Sequence, residues 1–408
     1  MSRLGSRSDK AARARAGSVL CVALGLWTHA LWAASFPVPA YEQVVPGVWY
    51  AHAERKSPPL RFHVVKAELG TGGVAIAPLQ ATGRERLADT VQRLAASGRA
   101  PVAAINGDYF HRRTMHGGPW GVHAEDGELF FSPTEKSALL IDAQGVPSVA
   151  LPRLRMSIEF EGHPRRYRVA HVNRPATPRL EPGFRVFTRR YDRPNVALTR
   201  GLGIVVKAAG PLTLGRENRG TILGLIRTSK VIPVQDGQWI LTCVPAVAAR
   251  CGDLKIGSAI TISGQLEPAA HQAIGGGPRM IRAGKVNIEF DRENFSKGHT
   301  SYISRSRHPR AGAGVSQDGK TVWFLAVEGR SAESGGLNME EFARLMRHLG
   351  AWDALSFDGG HSTDIFAKGK NREVQHPGKA KIKGRHLVNA LGFFLKGNAR
   401  PQAAQARE

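Results

Sequence analysis

Residues 307–366 read RHPRAGAGVSQDGKTVWFLAVEGRSAESGGLNMEEFARLMRHLGAWDALSFDGGHSTDIF, and this stretch decides the fold class. The run KTVWFLAVEG is rich in β-branched and aromatic residues and bounded by glycine, which predicts a strand. Asn338 then opens a helix, with Glu341 three residues on as its capping-box partner. Phe342, Leu345, Met346 and Leu349 form the apolar stripe of that helix, and Gly350 stops it. A strand from Ala354 to Phe357 follows, then the polar turn Asp358–Asp364, then another strand through Ile365 and Phe366.

Working outward, residues 84–98 place Leu87, Val91 and Leu94 on one helical face and end at Gly98. A buried strand from Val102 to Ile105 runs from there into Asn106-Gly107-Asp108. Between about 120 and 335 the chain is short β-like runs such as GIVVKAAG, TILGLIR and AITISGQL, punctuated by Gly and Pro. The last strand is expected from Leu387 to Leu395. No repeat and no long linker interrupts the pattern. The expected fold is α+β: a single large strand-rich domain over residues 36–396, with mixed sheets and a few flanking helices. A disordered tail is expected over residues 397–408.

Of 408 residues, 42% are apolar and 22% charged, so a sizeable core is affordable and wholesale disorder is excluded. The first 35 residues read as a secretory signal. Arg3, Arg7, Lys10, Arg13 and Arg15 form the basic region, residues 17–34 the apolar run, and Ala33-Ala34-Ser35 the small residues before cleavage at Phe36. No later stretch approaches the ~20 apolar residues of a membrane span. The expected location is therefore outside the cytoplasm, periplasmic or extracellular. Removing the leader leaves 52 basic against 32 acidic residues, a charge of +20 on the body. That excess favours an anionic partner. No recognised module or basic-aromatic stripe points to a specific nucleic acid.

Export also leaves Cys243 and Cys251, eight residues apart, and in an oxidising compartment they are expected to form one local disulfide. Metal or catalytic chemistry at the pair lacks a nearby His or third Cys.

Four segments break the strand pattern with glycine-rich polar text. They are Asn106-Gly107-Asp108, Gly275-Gly276-Gly277-Pro278, His308-Pro309-Arg310 with Gly312 and Gly314, and Asp358–Asp364. Glycines at strand ends allow close backbone approach, and each segment has a carboxylate, Asn or Arg close by, so convergence on one site is expected. Familiar templates fail: there is no Walker loop, no HExxH and no CxxC. The GHSTD run nearly copies a nucleophile elbow, but it ends in Asp364 and leads into a strand rather than a helix.

These same residues carry a resemblance. The 307–366 string resembles the C-terminal half of the phosphodiester glycosidase family. AAINGDYF (103–110), AIGGGPRMIRAGK (273–285) and VNALGFF (388–394) resemble further segments of it, in the family's order. The resemblance spans about residues 60–396 and implies a hydrolase acting on a sugar-1-phosphodiester. The chain departs from the family pattern at several positions. His361 stands where the family has a glycine in DGGGS, Glu328-Gly329-Arg330 where Asp-Gly-Arg is usual, and Arg310-Ala311 where Arg-Thr is usual. Asp108 replaces a glycine, and Asp364 replaces a small or hydroxyl residue.

The chemistry can be argued from residue types. A phosphate monoester is a weakly basic leaving group, so the site needs a cationic clamp and a carboxylate facing the anomeric carbon. Arg310 and Arg330 are the candidate clamps, because a guanidinium pairs bidentately with phosphate oxygens. Asp358 is the leading carboxylate and Glu328 the second. His361 either narrows the site and touches substrate or acts as a general acid or base. Backbone N–H groups of Gly276 and Gly277 are expected to receive a phosphate oxygen. Asn106 either binds a sugar hydroxyl or ties its own loop. Asp108, Gly359, Gly360 and Ser362 complete the expected substrate-binding set.

The expected partner is a phosphate-bearing glycan or another anionic envelope polymer, with no cofactor required. Two other readings stay open. One is a phosphodiesterase cutting P–O, with a divalent cation held by Asp358 and Asp364. The other is a non-catalytic polyanion-binding protein of exopolysaccharide or envelope assembly.

Overall fold

A computed structural model describes residues 36–70, 73–110, 118–175, 182–198, 200–369 and 385–396. The expected leader at 1–35 and the expected disordered tail at 397–408 lie outside the described residues, and the strands below belong to the unit that begins at Pro39. Strands Arg310–Val315 and Thr321–Val327 pair antiparallel at the centre of an eight-stranded sheet. On one face Ala311, Ala313, Val322, Phe324 and Ala326 are fully buried. On the other, Gly312 and Gly314 make room for the helix Met339–His348: a Cβ at Gly314 would stand 2.8 Å from Met346 Sδ, and one at Gly312 3.1 Å from the Phe342 ring. These two glycines let the helix lie close on the sheet.

That helix has the cap read from the sequence. Asn338 Oδ1 accepts from Glu341 N–H at 2.9 Å, and Asn338 N–H donates to Glu341 at 3.0 Å. Such a cap contributes about 1 kcal/mol. The earlier helix runs Leu87–Ala96 with Leu87, Val91 and Leu94 buried, and Gly98 follows at φ +78°. The strands Ala103–Asn106, Asp353–Ser356, Ile365–Ala367 and Leu387–Leu395 also lie within a residue or so of their expected places.

Three of those strands belong to a four-stranded sheet, ordered Ile365–Ala367, Ala103–Asn106, Leu387–Leu395, Val74–Glu85. Its apolar face meets the eight-stranded sheet in one core, where Phe324 stacks on Phe393 with ring centroids 4.0 Å apart. A five-stranded sheet includes His123–Glu125, Ala138–Ile141 and Gln272–Gly275.

Sequence reading did not foresee the closed barrel. Seven strands between Arg153 and Glu267 close on themselves, the last pairing with the first over eight residues from Arg153↔Glu267 to Phe160↔Ile260. Closure buries Ile158, Phe184, Ile204, Ile222, Leu241 and Ile262 and leaves no sheet edge. The protein is thus largely β. Its named strands pair antiparallel throughout, apart from the parallel contact of Arg166–Val172 with Phe184–Phe187 inside the barrel. The helix Lys297–Arg305 was also missed, since KGHTSYISR carries no clear apolar stripe. Among the described residues, no helix is long and apolar enough to cross a membrane.

Cys243 and Cys251 are free thiols here rather than the expected disulfide, and both are buried. Their sulfurs interact side by side: the contact with Cys251, together with burial, holds the Cys243 thiol well above its usual range, while the same contact holds Cys251 below its own against the opposing effect of burial. Eight residues in sequence brought the pair together, as the spacing implied, but no covalent bond joins them.

Candidate active site

The glycine-rich turns do meet, at the end of the eight-stranded sheet where Arg310 begins one strand and Val327 and Ser356 end its neighbours. Asp358 N–H donates to Gly107 O at 3.0 Å, and Gly277 N–H donates to Ser356 O at 2.8 Å. Asn106 closes the turn: its Nδ2 donates to Asp358 O at 2.7 Å, and its Oδ1 accepts from Asp364 N–H at 2.9 Å. Fully buried and spent on backbone at both ends, Asn106 shapes the turn rather than meeting a sugar hydroxyl.

Close packing of these loops demands glycine at particular places. A Cβ on Gly359 would stand 2.9 Å from Pro309 O, and one on Gly329 2.8 Å from Gly336 Cα. Gly360 has φ +64°, and a Cβ there would press on Arg330 Nη2 at 3.3 Å. The turn therefore lies directly against Arg330.

Three groups expected to bind phosphate, at Gly276, Gly277 and Arg310, are hydrogen-bonded within the protein. Gly276 N–H donates to Ser137 O at 3.1 Å and Gly277 N–H to Ser356 O, so neither donor is left for a ligand. Arg310 is buried, with Nε bonded to Leu337 O and Nη2 to Ser306 O, each at 2.8 Å. It braces two loops, and burial lowers its pKa to about 10. Its planar fork is not presented intact to a phosphate.

Arg330 is different. It is exposed, with φ +63°, a conformation L residues rarely hold without cause. Its Nη1 lies 3.3 Å from His361 Nδ1 and its Nη2 3.0 Å from His308 Nδ1. A guanidinium can only donate, so both Nδ1 atoms accept and both rings carry their proton on Nε2. Burial, with Arg310 and Arg330 nearby, pushes the His308 pKa down to about 4, so that ring is neutral at pH 7. Its Nε2 is buried without a protein partner among the described residues, as are Ser362 Oγ and Thr363 Oγ1. These are donors that a bound oxygen could satisfy. His308 carried a signal in the sequence, since it heads the His-Pro-Arg segment, but sequence alone did not assign it to the site.

Asp358 is 7% exposed at the end of its strand. Its charge reaches Tyr109 and Asp108, raising the pKa of each. Asp108 is also buried; its Oδ1 accepts from Tyr109 N–H at 2.7 Å and its Oδ2 from Gly121 N–H at 2.5 Å. Arg174, missed in the sequence, stands near it and donates to the carbonyls of Pro119, Gly121 and Ser132. Burial outweighs these favourable contacts and pushes the Asp108 pKa up to about 7. A folded-state pKa raised above the unfolded value contributes stability that is full below about pH 4 and lost as pH rises through about 7. The melting temperature of the wild type relative to Asp108→Asn should therefore fall between about pH 5 and about pH 8. A difference that stays flat, measured by thermal denaturation across that range, would contradict this.

Glu328 is held by His63, whose Nε2 lies 2.9 Å from Oε1, and Tyr50 Oη lies 2.7 Å from the other nitrogen of that ring. Among the described residues, the group of three side chains that could hold a metal is His52, His63 and Glu328. Asp358 and Asp364 are not part of it.

Residues 221–394 match the family model described as phosphodiester glycosidase. This stretch carries the likeness to phosphodiester glycosidases. It contains Arg310, Glu328, Arg330, Asp358 and His361, while Asn106 and Asp108 lie outside the matched residues. No curated protein matches. A hypothetical protein from Synechocystis has a similar fold, with a TM-score of 0.68 and 20% identity over 89% of this chain. The chain spans 64% of that protein's length. A Burkholderia pseudomallei protein assigned to export by name alone gives a TM-score of 0.61 and 20% identity, over 82% of this chain and 74% of that one. The catalytic domain of zebrafish N-acetylglucosamine-1-phosphodiester alpha-N-acetylglucosaminidase aligns over 88% of this chain and 85% of its own. Its TM-score of 0.41 and 13% identity are too low to carry weight.

Proposed function

We propose that this protein is an exported hydrolase that cleaves the glycosidic C–O bond of a sugar-1-phosphodiester on a glycan or envelope polymer. The products are a free sugar and a phosphomonoester. The observation that carries this reading is the meeting, inside the stretch that resembles phosphodiester glycosidases, of the Asp358 turn with Arg330 and its two imidazoles.

Asp358 supplies the carboxylate at the anomeric carbon, where it stabilises developing positive charge, attacks, or activates water. Arg330 holds the phosphate, and the Nε2–H of His308 offers a neutral donor to a phosphate or sugar oxygen. The departing phosphomonoester is a weakly basic leaving group, so no strong general acid is required. Export follows the leader at residues 1–35, and the +20 body suits an anionic polymer. The domain would extend over residues 36–396, since the Asn106 turn is needed to close the site.

Hydrolysis of a sugar-1-phosphate diester in oxygen-18 water tests the bond cleaved. Label in the released sugar is expected. Label in the phosphomonoester means P–O cleavage and overturns the glycosidase reading.

A further inference from the structure

We propose that His52, His63 and Glu328 form a zinc-binding site with an open coordination position. The three side chains come from separate strands: His52 from Val48–Arg55, His63 from Leu60–Glu68, and Glu328 from the residue after Thr321–Val327. Antiparallel pairing sets His52 directly opposite His63, and His63 opposite Ala326, which brings Glu328 alongside two residues on. One potential ligand atom from each lies within 4.8 Å of the others, and one pair is already at 2.9 Å.

Two imidazoles and a carboxylate are a donor set that suits zinc, which leaves the fourth position to water or substrate. Bonds of about 2.0–2.2 Å in a tetrahedron place ligand atoms roughly 3.3–3.5 Å apart, so the His63–Glu328 pair at 2.9 Å need only open slightly while His52 closes on it. His52 can make that movement, because its side chain is 22% exposed whereas that of His63 is 6%. The rings now stack at 4.6 Å between centroids, and tilting His52 would bring a nitrogen lone pair toward an ion.

Outer contacts favour the same reading. Tyr50 Oη lies 2.7 Å from His63 Nδ1 and can accept a hydrogen bond from Nδ1–H, the tautomer that leaves Nε2 unprotonated toward the metal. Glu54 stands 3.5 Å from His52 Nε2 and can hold one nitrogen of that ring while the other turns to the ion. Glu328 is two residues before Arg330, so an ion here would add positive charge beside the proposed phosphate clamp.

The test uses full-length mature protein without a polyhistidine tag, stripped with chelator and then exposed to zinc. One zinc ion per chain should remain after gel filtration. Cobalt in its place should give the intense visible absorption of a four- or five-coordinate site. His52→Ala and Glu328→Gln should each lose the retained zinc and the cobalt spectrum. Zinc should raise the melting temperature of the wild type but not of a variant that folds. Glutamine can still accept from His63, so Glu328→Gln keeps the test open if His52→Ala misfolds. No retained zinc in the wild type, or equal retention by either folded variant, overturns the site. Metal uptake is read without substrate, so its failure and failure of the glycosidase reading are distinguishable.

Discussion

Replacing Asp358 by asparagine is expected to lower turnover by on the order of 1,000-fold while leaving substrate binding nearly unchanged. The amide fills the same space but cannot stabilise positive charge on carbon, attack it, or take a proton from water. The turn itself should survive, because its fastening uses backbone. Asp358 N–H donates to Gly107 O, and Asp358 O accepts from Asn106. Loss of repulsion from the Asp358 carboxylate should also ease ionisation of Asp108. Steady-state kinetics with a sugar-1-phosphodiester, alongside a melting curve to show the variant is folded, gives the answer. A folded Asp358→Asn protein cleaving at the wild-type rate would show that the carboxylate in the chemistry is another one.

The second large effect is expected at Arg330. Lysine keeps the charge but loses the fork, and with it the paired contacts to His308 and His361. Hydrogen bonds to charged groups contribute about 1.5–3 kcal/mol each. A fall of about 10- to 100-fold in kcat/KM should follow at 1.4 kcal/mol per decade. Backbone strain does not confuse the comparison, because lysine meets the same positive φ that arginine does. The loss should appear as a raised KM for phosphodiesters as well as a lower kcat, because the proposed contact is to the phosphate. Unchanged kinetics in the Lys variant would make Arg330 a purely structural clasp for the two histidines.

Much of the architecture was legible locally. The capped helix at Asn338, the helix ending at Gly98 and the strands flanking the Asp358 turn rest on short-range signals: a capping box, an apolar stripe, a glycine at a stop. Interactions over three to five residues write those signals, and tertiary contacts had no reason to override them. The convergence of the glycine-rich turns was legible too, because glycine beside Asp, Asn or Arg at several strand ends marks backbones that come close. The motifs carried the likeness to phosphodiester glycosidases without any coordinates.

Roles within the site were another matter. Whether a donor is available depends on what lies opposite it, and that partner is distant in the chain. Gly277 N–H meets Ser356 O, Arg310 meets Ser306 and Leu337, and Asn106 meets residues 252 and 258 positions away. Sequence composition carries no record of those pairings, so groups expected to meet a ligand are found fastening the loops to one another. The barrel was hidden for a related reason: its strands look like any others, and closure exists only in the register between Arg153–Phe160 and Ala259–Glu267. His52, His63 and Glu328 show the same limit most sharply. They are 265 residues apart from His63 to Glu328, with no motif spacing, and became neighbours only because antiparallel pairing set three strands side by side. Sequence determined which segments would be helix, strand and turn, and the likeness to a family of enzymes. Tertiary structure alone decided which polar groups were consumed in holding the turns together and which remained facing outward for chemistry.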